Sequence, residues 1–325
     1  MCKAFSRSLL LGLLLLAIQP ANAAQLYWND GSMIHRAALD GSGAQSVAPT
    51  FATLGIAVDP GAGLFWTDDV PRVPVGPTGT IRHAGLDGSG ETDVLPGIPT
   101  PIGIALDAPH GKVYWTDSAN VIHRANLDGT NVENLINQPS VAELSGIVVD
   151  AARNRFYFSF VNPLIDSARP GGIGSANLDG SDVQIAVSAL VNPQGLRLDP
   201  SGNLYWADVD RIQRAPIGGT AQDLVTGLNR PFGLALDVAD QTVFWTDSGA
   251  GAIERAPLTG GAATVVLTHL NNPTAIAIYA PVPEPGTLAL AAIGLVVLGR
   301  RLLRGVAAGI ATAAHHGGHG TSDTT

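Results

Sequence analysis

Gly111 to Leu135 reads GKVYWTDSANVIHRANLDGTNVENL, and this stretch decides the fold. Tyr114-Trp115-Thr116-Asp117 combines aromatic and β-branched residues, which favour a strand. A polar link, Ser118-Ala119-Asn120, leads to a second strand from Val121 to Leu127. Asp128-Gly129 then turns the chain into a third at Val132 to Ile136, because Asp-Gly accepts the positive φ of a tight hairpin. After a proline-containing loop comes an apolar run, Gly146-Ile147-Val148-Val149-Asp150, and the cycle restarts at Phe156-Tyr157-Phe158. Four short strands per unit predict a propeller blade.

The unit recurs at Tyr27-Trp28-Asn29-Asp30, Phe65-Trp66-Thr67-Asp68, Tyr205-Trp206-Ala207-Asp208 and Phe244-Trp245-Thr246-Asp247, with a worn copy at Tyr157-Phe158-Ser159-Phe160. All five tryptophans hold the second place of this motif, and successive copies lie 38 to 49 residues apart. That period fits propeller blades of about 40–50 residues. These residues resemble the YWTD repeat, the class B repeat of low-density lipoprotein receptors, over about Gln25 to Ala280. The resemblance implies an all-β, six-bladed β-propeller in which the GIAVD-like run is innermost and the YWTD run second. Innermost runs fall at 55–59, 103–107, 146–150, 195–199, 233–237 and 275–279. The chain therefore opens with strands two to four of a blade, and its last run, 275–279, is expected to pair with that N-terminal blade and close the ring.

The two ends read differently. Met1 to Ala23 has Lys3 and Arg7, an apolar core from Leu9 to Ile18, and Ala21-Asn22-Ala23 as a cleavage site, the layout of a secretory signal. Ten apolar residues are too few for a membrane anchor. Cys2, the one cysteine, lies in this leader, so the propeller at 24–280 is expected to fold without disulfides. After Ala280, Pro283-Glu284-Pro285, an apolar run from Thr287 to Gly299 and Arg300-Arg301 resemble the PEP-CTERM sorting signal of exopolysaccharide-producing Gram-negative bacteria. The resemblance implies an exosortase-type processing protease as a partner, and a short transmembrane helix within 281–304. At 1.5 Å per residue the apolar run spans about 20 Å, short of the roughly 30 Å hydrocarbon core, so the anchor is expected to be transient. The arginines should stay cytoplasmic, leaving the propeller outside. A Gly- and His-bearing tail at 305–325 completes the chain and is expected to be disordered.

Between 24 and 285 there are 13 Lys and Arg against 26 Asp and Glu, a net charge of −13. That balance speaks against nucleic acid and against electrostatic adhesion to anionic lipid. Several of these charges are expected to pair within blades. Asp30, Asp117, Asp208 and Asp247 are followed at one offset by Arg36, Arg124, Arg214 and Arg255, and Asp68 by His83. In the worn blade Phe160 and Ser175 replace both members at once, as a cross-strand ion pair predicts.

Two links between second and third strands are long, Asp69 to Thr80 and Val161 to Gly172. They carry Arg72, Asp166 and Arg169, and lie on the face of the blade connections, where propeller ligands dock. The residues before each innermost strand should rim the channel there, among them Ile102, Gln194, Phe232 and Thr274. Phe232 beside Arg230 is the leading contact, an aromatic next to arginine being typical of binding hot spots. No G-x-S-x-G, H-E-x-x-H or D-x-D-x-D-G array is present, so no metal, cofactor or enzymatic activity is expected. The sequence thus points to an exported propeller at the cell surface or in the extracellular matrix, transiently held at the membrane by its C-terminus, that binds a protein or exopolysaccharide without catalysis. A lactonase- or lyase-like enzyme working in the channel and a purely structural matrix protein remain open alternatives.

Overall fold

A computed structural model describes residues 23–69, 79–137, 143–161 and 171–280. Residues 1–22 of the leader, the sorting segment and the tail lie outside this set. Among the described residues no helix is long and apolar enough to cross a membrane. They form six four-stranded antiparallel sheets in a β-propeller, numbered here as blades 1 to 6 from the N-terminus. Blades 2 to 6 run from the inner to the outer strand in chain order. Blade 1 takes Gln25–Asp30, Met33–Ala38 and Gln45–Pro49 from the N-terminus and its innermost strand, Ile276–Tyr279, from the far end of the propeller. That last strand aligns Tyr279 with Gln25 and Ile276 with Trp28.

The motif's alternation explains how blades meet. Successive side chains of a strand point to opposite faces. The first-place aromatic therefore faces one neighbouring blade and the tryptophan the other. Six hydrophobic clusters follow, one between each pair of adjacent blades. Tyr27 of blade 1 meets Trp66 of blade 2, Phe65 meets Trp115, and Tyr114 meets Phe158. Tyr157 meets Trp206, Tyr205 meets Trp245, and Phe244 of blade 6 meets Trp28 of blade 1. The core is thus distributed between sheets rather than central.

At the axis the inner strands approach through glycine. A Cβ on Gly103 would lie 2.3 Å from the Ser145 carbonyl oxygen, and one on Gly195 or Gly233 would be as badly placed against Phe232 or Thr274. The threonine of the motif stitches the same region. Thr116 Oγ1 accepts from Gly103 N of its own blade at 2.9 Å and donates to Ser145 O of the next at 2.7 Å. Thr67 links Gly55 to Ile102 O in the same way, and Thr246 links Gly233 to Thr274 O. In blade 1 Asn29 Oδ1 takes the role, accepting from Thr274 N and Ala275 N.

Ile276 is buried in the C-terminal strand, against the blade 6–blade 1 cluster. Ile276→Asp is expected to cost at least ~3 kcal/mol in denaturant unfolding, since a carboxylate there has no partner. A loss under ~1 kcal/mol would show that blade 1 stands without this strand.

Candidate functional site

The face at the start of the inner strands is built by the motif's aspartates. Asp68 Oδ1 accepts from Phe51 N at 2.8 Å and Ala52 N at 3.2 Å, in the connection entering blade 2. Asp208 accepts from Val191 N and Asn192 N, Asp247 from Asn229 N and Ala250 N, and Asp30 from Asn271 N. Asp117 accepts from Ala119 N at 3.0 Å and Val121 N at 2.9 Å. Each carboxylate therefore latches a loop, and none meets the basic residue expected for it. Burial pushes the Asp208 carboxyl up, while its bonds to Asn192 and Val191 oppose that shift.

The expected ion pairs of Asp30 with Arg36, Asp68 with His83, Asp117 with Arg124, Asp208 with Arg214 and Asp247 with Arg255 do not form. The register is the reason. Arg36, Arg124, Arg214, Arg255 and His83 stand opposite Tyr27, Tyr114, Tyr205, Phe244 and Phe65, three places before the aspartate and on the other face. From there Arg36, Arg124 and Arg214 donate to Leu86 O, Leu178 O and Leu258 O, in the turns of the following blades. His83 Nε2 donates to Ala62 O at 2.8 Å. The residue that does share the aspartate's face stands opposite the tryptophan. It is His123 in blade 3, stacked on Trp115 and 2.8 Å from Asp117, and Arg82 in blade 2, 3.6 Å from Asp68.

The rim residues do converge. Ile102, Ser145, Phe232 and Leu54 line the upper channel, which narrows to a cavity of about 30 Å³, room for little more than a water. Thr274 is committed to the scaffold, donating to Thr53 O at 2.6 Å. Gln194 Nε2 donates to Asn192 Oδ1, and Ser145 Oγ donates to Gln194 Oε1. Beside them a groove of about 280 Å³ runs between Asn120, Glu143, Ser145, Gln194 and Val161. Arg230 is exposed and Phe232 half-buried. Arg230 adopts φ +68°, a left-handed backbone that is strained for a non-glycine residue, and Ser248 holds it by donating N–H and Oγ to the Arg230 carbonyl. Arg72, Asp166 and Arg169 lie outside the described residues. So do Pro283, Glu284, Pro285, Arg300 and Arg301.

Sequence reasoning missed three exposed apolar side chains on this face: Phe51 at 60% exposure, Val191 at 69% and Val209 at 50%. The latched aspartates mark their loops, which is the signal that could have found them. Among the described residues no group of three or more His, Cys, Asp or Glu side chains is placed to hold a metal ion.

Comparison with known proteins agrees with this architecture. The family model for the low-density lipoprotein receptor repeat class B matches residues 111–151 and 241–280, and the PEP-CTERM protein-sorting motif matches 281–304. A low-density lipoprotein receptor-related protein 1 of Pyricularia oryzae is 28% identical over 277 residues, covering 74% of this chain and 89% of its own length. Protein cueball of Drosophila erecta is 34% identical over 166 residues, which are 47% of this chain and only 23% of that protein. A chain of the nidogen/laminin complex superposes with a TM-score of 0.66 at 23% identity, covering 79% of this chain and 98% of that one. TolB from Acinetobacter baumannii gives 0.66 at 12%, covering 80% of this chain and 67% of its own. These two likenesses are of fold. The PEP-CTERM motif implies export, sorting to the cell surface and exosortase processing.

Two measurements test how the face is held. Asp117→Ala is expected to cost ~2–4 kcal/mol by orphaning buried N–H groups, with a coupling to Arg124→Ala under ~0.5 kcal/mol in a double-mutant cycle. Coupling above ~1 kcal/mol would reinstate the ion pair. In blade 6 the position opposite Trp245 is Glu254, on the face of Asp247. Burial, then the Asp247 charge, raise its pKa above the ordinary 4.5. The folded protein keeps that proton to higher pH than the unfolded chain, so this stability is present below pH 4.5 and lost as pH rises through the folded value. Glu254→Gln should therefore gain in Tm over the parent protein from pH 4 to pH 7; a constant difference would refute the assignment.

Proposed function

We propose that this chain, a propeller of low-density lipoprotein receptor class B repeats with a PEP-CTERM motif, is an exported surface protein that binds a macromolecular partner on its rim face. The observation that carries the reading is the strained Arg230 held beside half-buried Phe232. Backbone strain persists where the surroundings impose it, and concentrates at binding sites. Phe51, Val191 and Val209 add apolar contact area on the same face. An aromatic and an arginine among exposed apolar residues fit a protein partner. The solved relative in the nidogen/laminin complex comes from an assembly of two proteins, which is the mode of action proposed for this chain.

A polysaccharide partner is the second reading, favoured by the groove of Asn120, Glu143, Ser145 and Gln194, whose amides and hydroxyls suit sugar hydroxyls. Binding without turnover is part of the proposal in either case. Among the described residues Glu143 is the one carboxylate lining that groove, whereas glycoside hydrolysis ordinarily uses a pair.

The experiment measures binding of the purified protein to surface proteins and extracellular polysaccharide of the producing strain. Phe232→Ala is expected to weaken binding at least ~10-fold. Arg230→Gly should weaken it similarly while keeping or raising Tm, because glycine relieves the left-handed backbone. Unchanged affinity in both variants would remove the rim from the proposal.

A further inference from the structure

The third residue of each innermost run, at 57, 105, 148, 197, 235 and 277, stands at one level of the channel. Five are small, Ala57, Ala105, Val148, Ala235 and Ala277, and the sixth is Arg197. The small residues leave space for one long side chain to cross the axis. Arg197 Nη1 donates to Leu196 O at 2.8 Å, and Nη2 donates to Ile276 O at 3.0 Å. The second bond reaches the inner strand of blade 1, two blades around from blade 5. Among the described residues no carboxylate forms a salt bridge with Arg197, and Nε–H with one hydrogen on each Nη is left over.

Arg197 divides the channel. Above it is the cavity of about 30 Å³ under the rim, lined by the inner-strand glycines. Below it, toward the ends of the inner strands, opens a cavity of about 300 Å³. Apart from Arg197 and Asp59 its lining side chains are aliphatic, and backbone polar atoms of the inner strands are exposed between them. Asp59 Oδ1 is engaged by Gly61 N and Ala62 N at 2.8 and 2.9 Å, in the turn at the mouth. Burial draws the Arg197 pKa down to about 10, so the guanidinium remains charged at neutral pH. The guanidinium therefore faces this cavity with N–H donors that no carboxylate already takes, and a charged donor of this kind favours an oxyanion.

We propose that the lower channel is a binding site for a small oxyanion, a carboxylate or phosphate group, received by the free edge of the Arg197 guanidinium. The planar fork matches either group in two-point fashion. The cavity's volume lies at the small end for ligand sites and suits something the size of a monosaccharide acid. The site opens on the face opposite the rim and is independent of the partner proposed there.

The test is thermal unfolding of the full chain at constant ionic strength, with chloride replaced by inorganic phosphate, acetate or glucuronate. At saturation at least one is expected to raise Tm by ~3 °C or more, since a ligand bound only to the folded state stabilises it. Arg197→Met should abolish the rise and Arg197→Lys should reduce it. Asp59→Asn keeps an acceptor for the turn and removes the mouth's negative charge, so it should tighten the same anion several-fold. This second variant keeps the test decisive even where Arg197→Met does not fold. A response to glucuronate alone would assign the site to an acidic sugar, and one to phosphate alone to free phosphate. No anion-specific rise in the parent protein, or an equal rise in Arg197→Met, would overturn the proposal and leave Arg197 as a tie between blades.

Discussion

Every blade interface depends on one contact, the first-place aromatic of one blade against the tryptophan of the next, or against Phe158 in blade 4. A four-stranded sheet with two apolar faces cannot be stable alone, because each face must be covered. Placing adjacent residues of one strand on opposite faces solves both interfaces with a dipeptide. The rings are large enough to span the gap between sheets, and Trp66, Trp115, Trp206 and Trp245 are fully buried in doing so. Near the axis the sheets converge and there is no room for a ring. Glycine takes over there, and threonine supplies a hydrogen bond across the narrowed gap.

Blade 4 shows how far the motif can drift while this contact survives. Phe158 stands in for tryptophan, and Gly174 lies under its ring, where a Cβ would be 2.4 Å from the ring edge. Phe160, in place of aspartate, rests likewise near Gly172. Each lost polar function is matched by a lost side chain opposite. Arg155 enters from the start of the same strand and ties Ser175 and Asp182 instead. Drift is thus coordinated across strands, as cross-strand packing demands.

The period, the four-strand order and the incomplete first blade were all legible in the sequence, since each rests on local alternation and turn chemistry. Pairing within the blade was not. Asp117 shares its face with Trp115, so its neighbour is the residue opposite Trp115, His123, and not Arg124. One residue of register exchanges the faces. Co-occurrence of Asp and Arg in intact blades, and their joint absence from blade 4, reflected the common drift of the blade rather than contact. The rim was legible in outline, because position before an inner strand fixes it. Its strained Arg230 and exposed Val191 and Val209 depend on loop conformation, which no period encodes. Arg197 was visible as the odd member of an aligned column, yet its meaning required knowing that the column surrounds an axis.

The same geometry changes what the chain's acidity means. Among the described residues eight aspartates, including Asp68, Asp117, Asp208 and Asp247, are buried, where they accept from backbone N–H groups or anchor nearby side chains. Their charges serve folding and are largely withdrawn from solvent. A formal count over the sequence therefore overstates the negative field that a partner meets at the surface. Lone arginines weigh correspondingly more. Asp247, in the blade of Arg230, is already occupied by Asn229 and Ala250, and Asp59, which lines the lower cavity with Arg197, by Gly61 and Ala62. Local positive potential can persist on an acidic protein when its acids are internally committed, and the two proposed sites both rest on that condition.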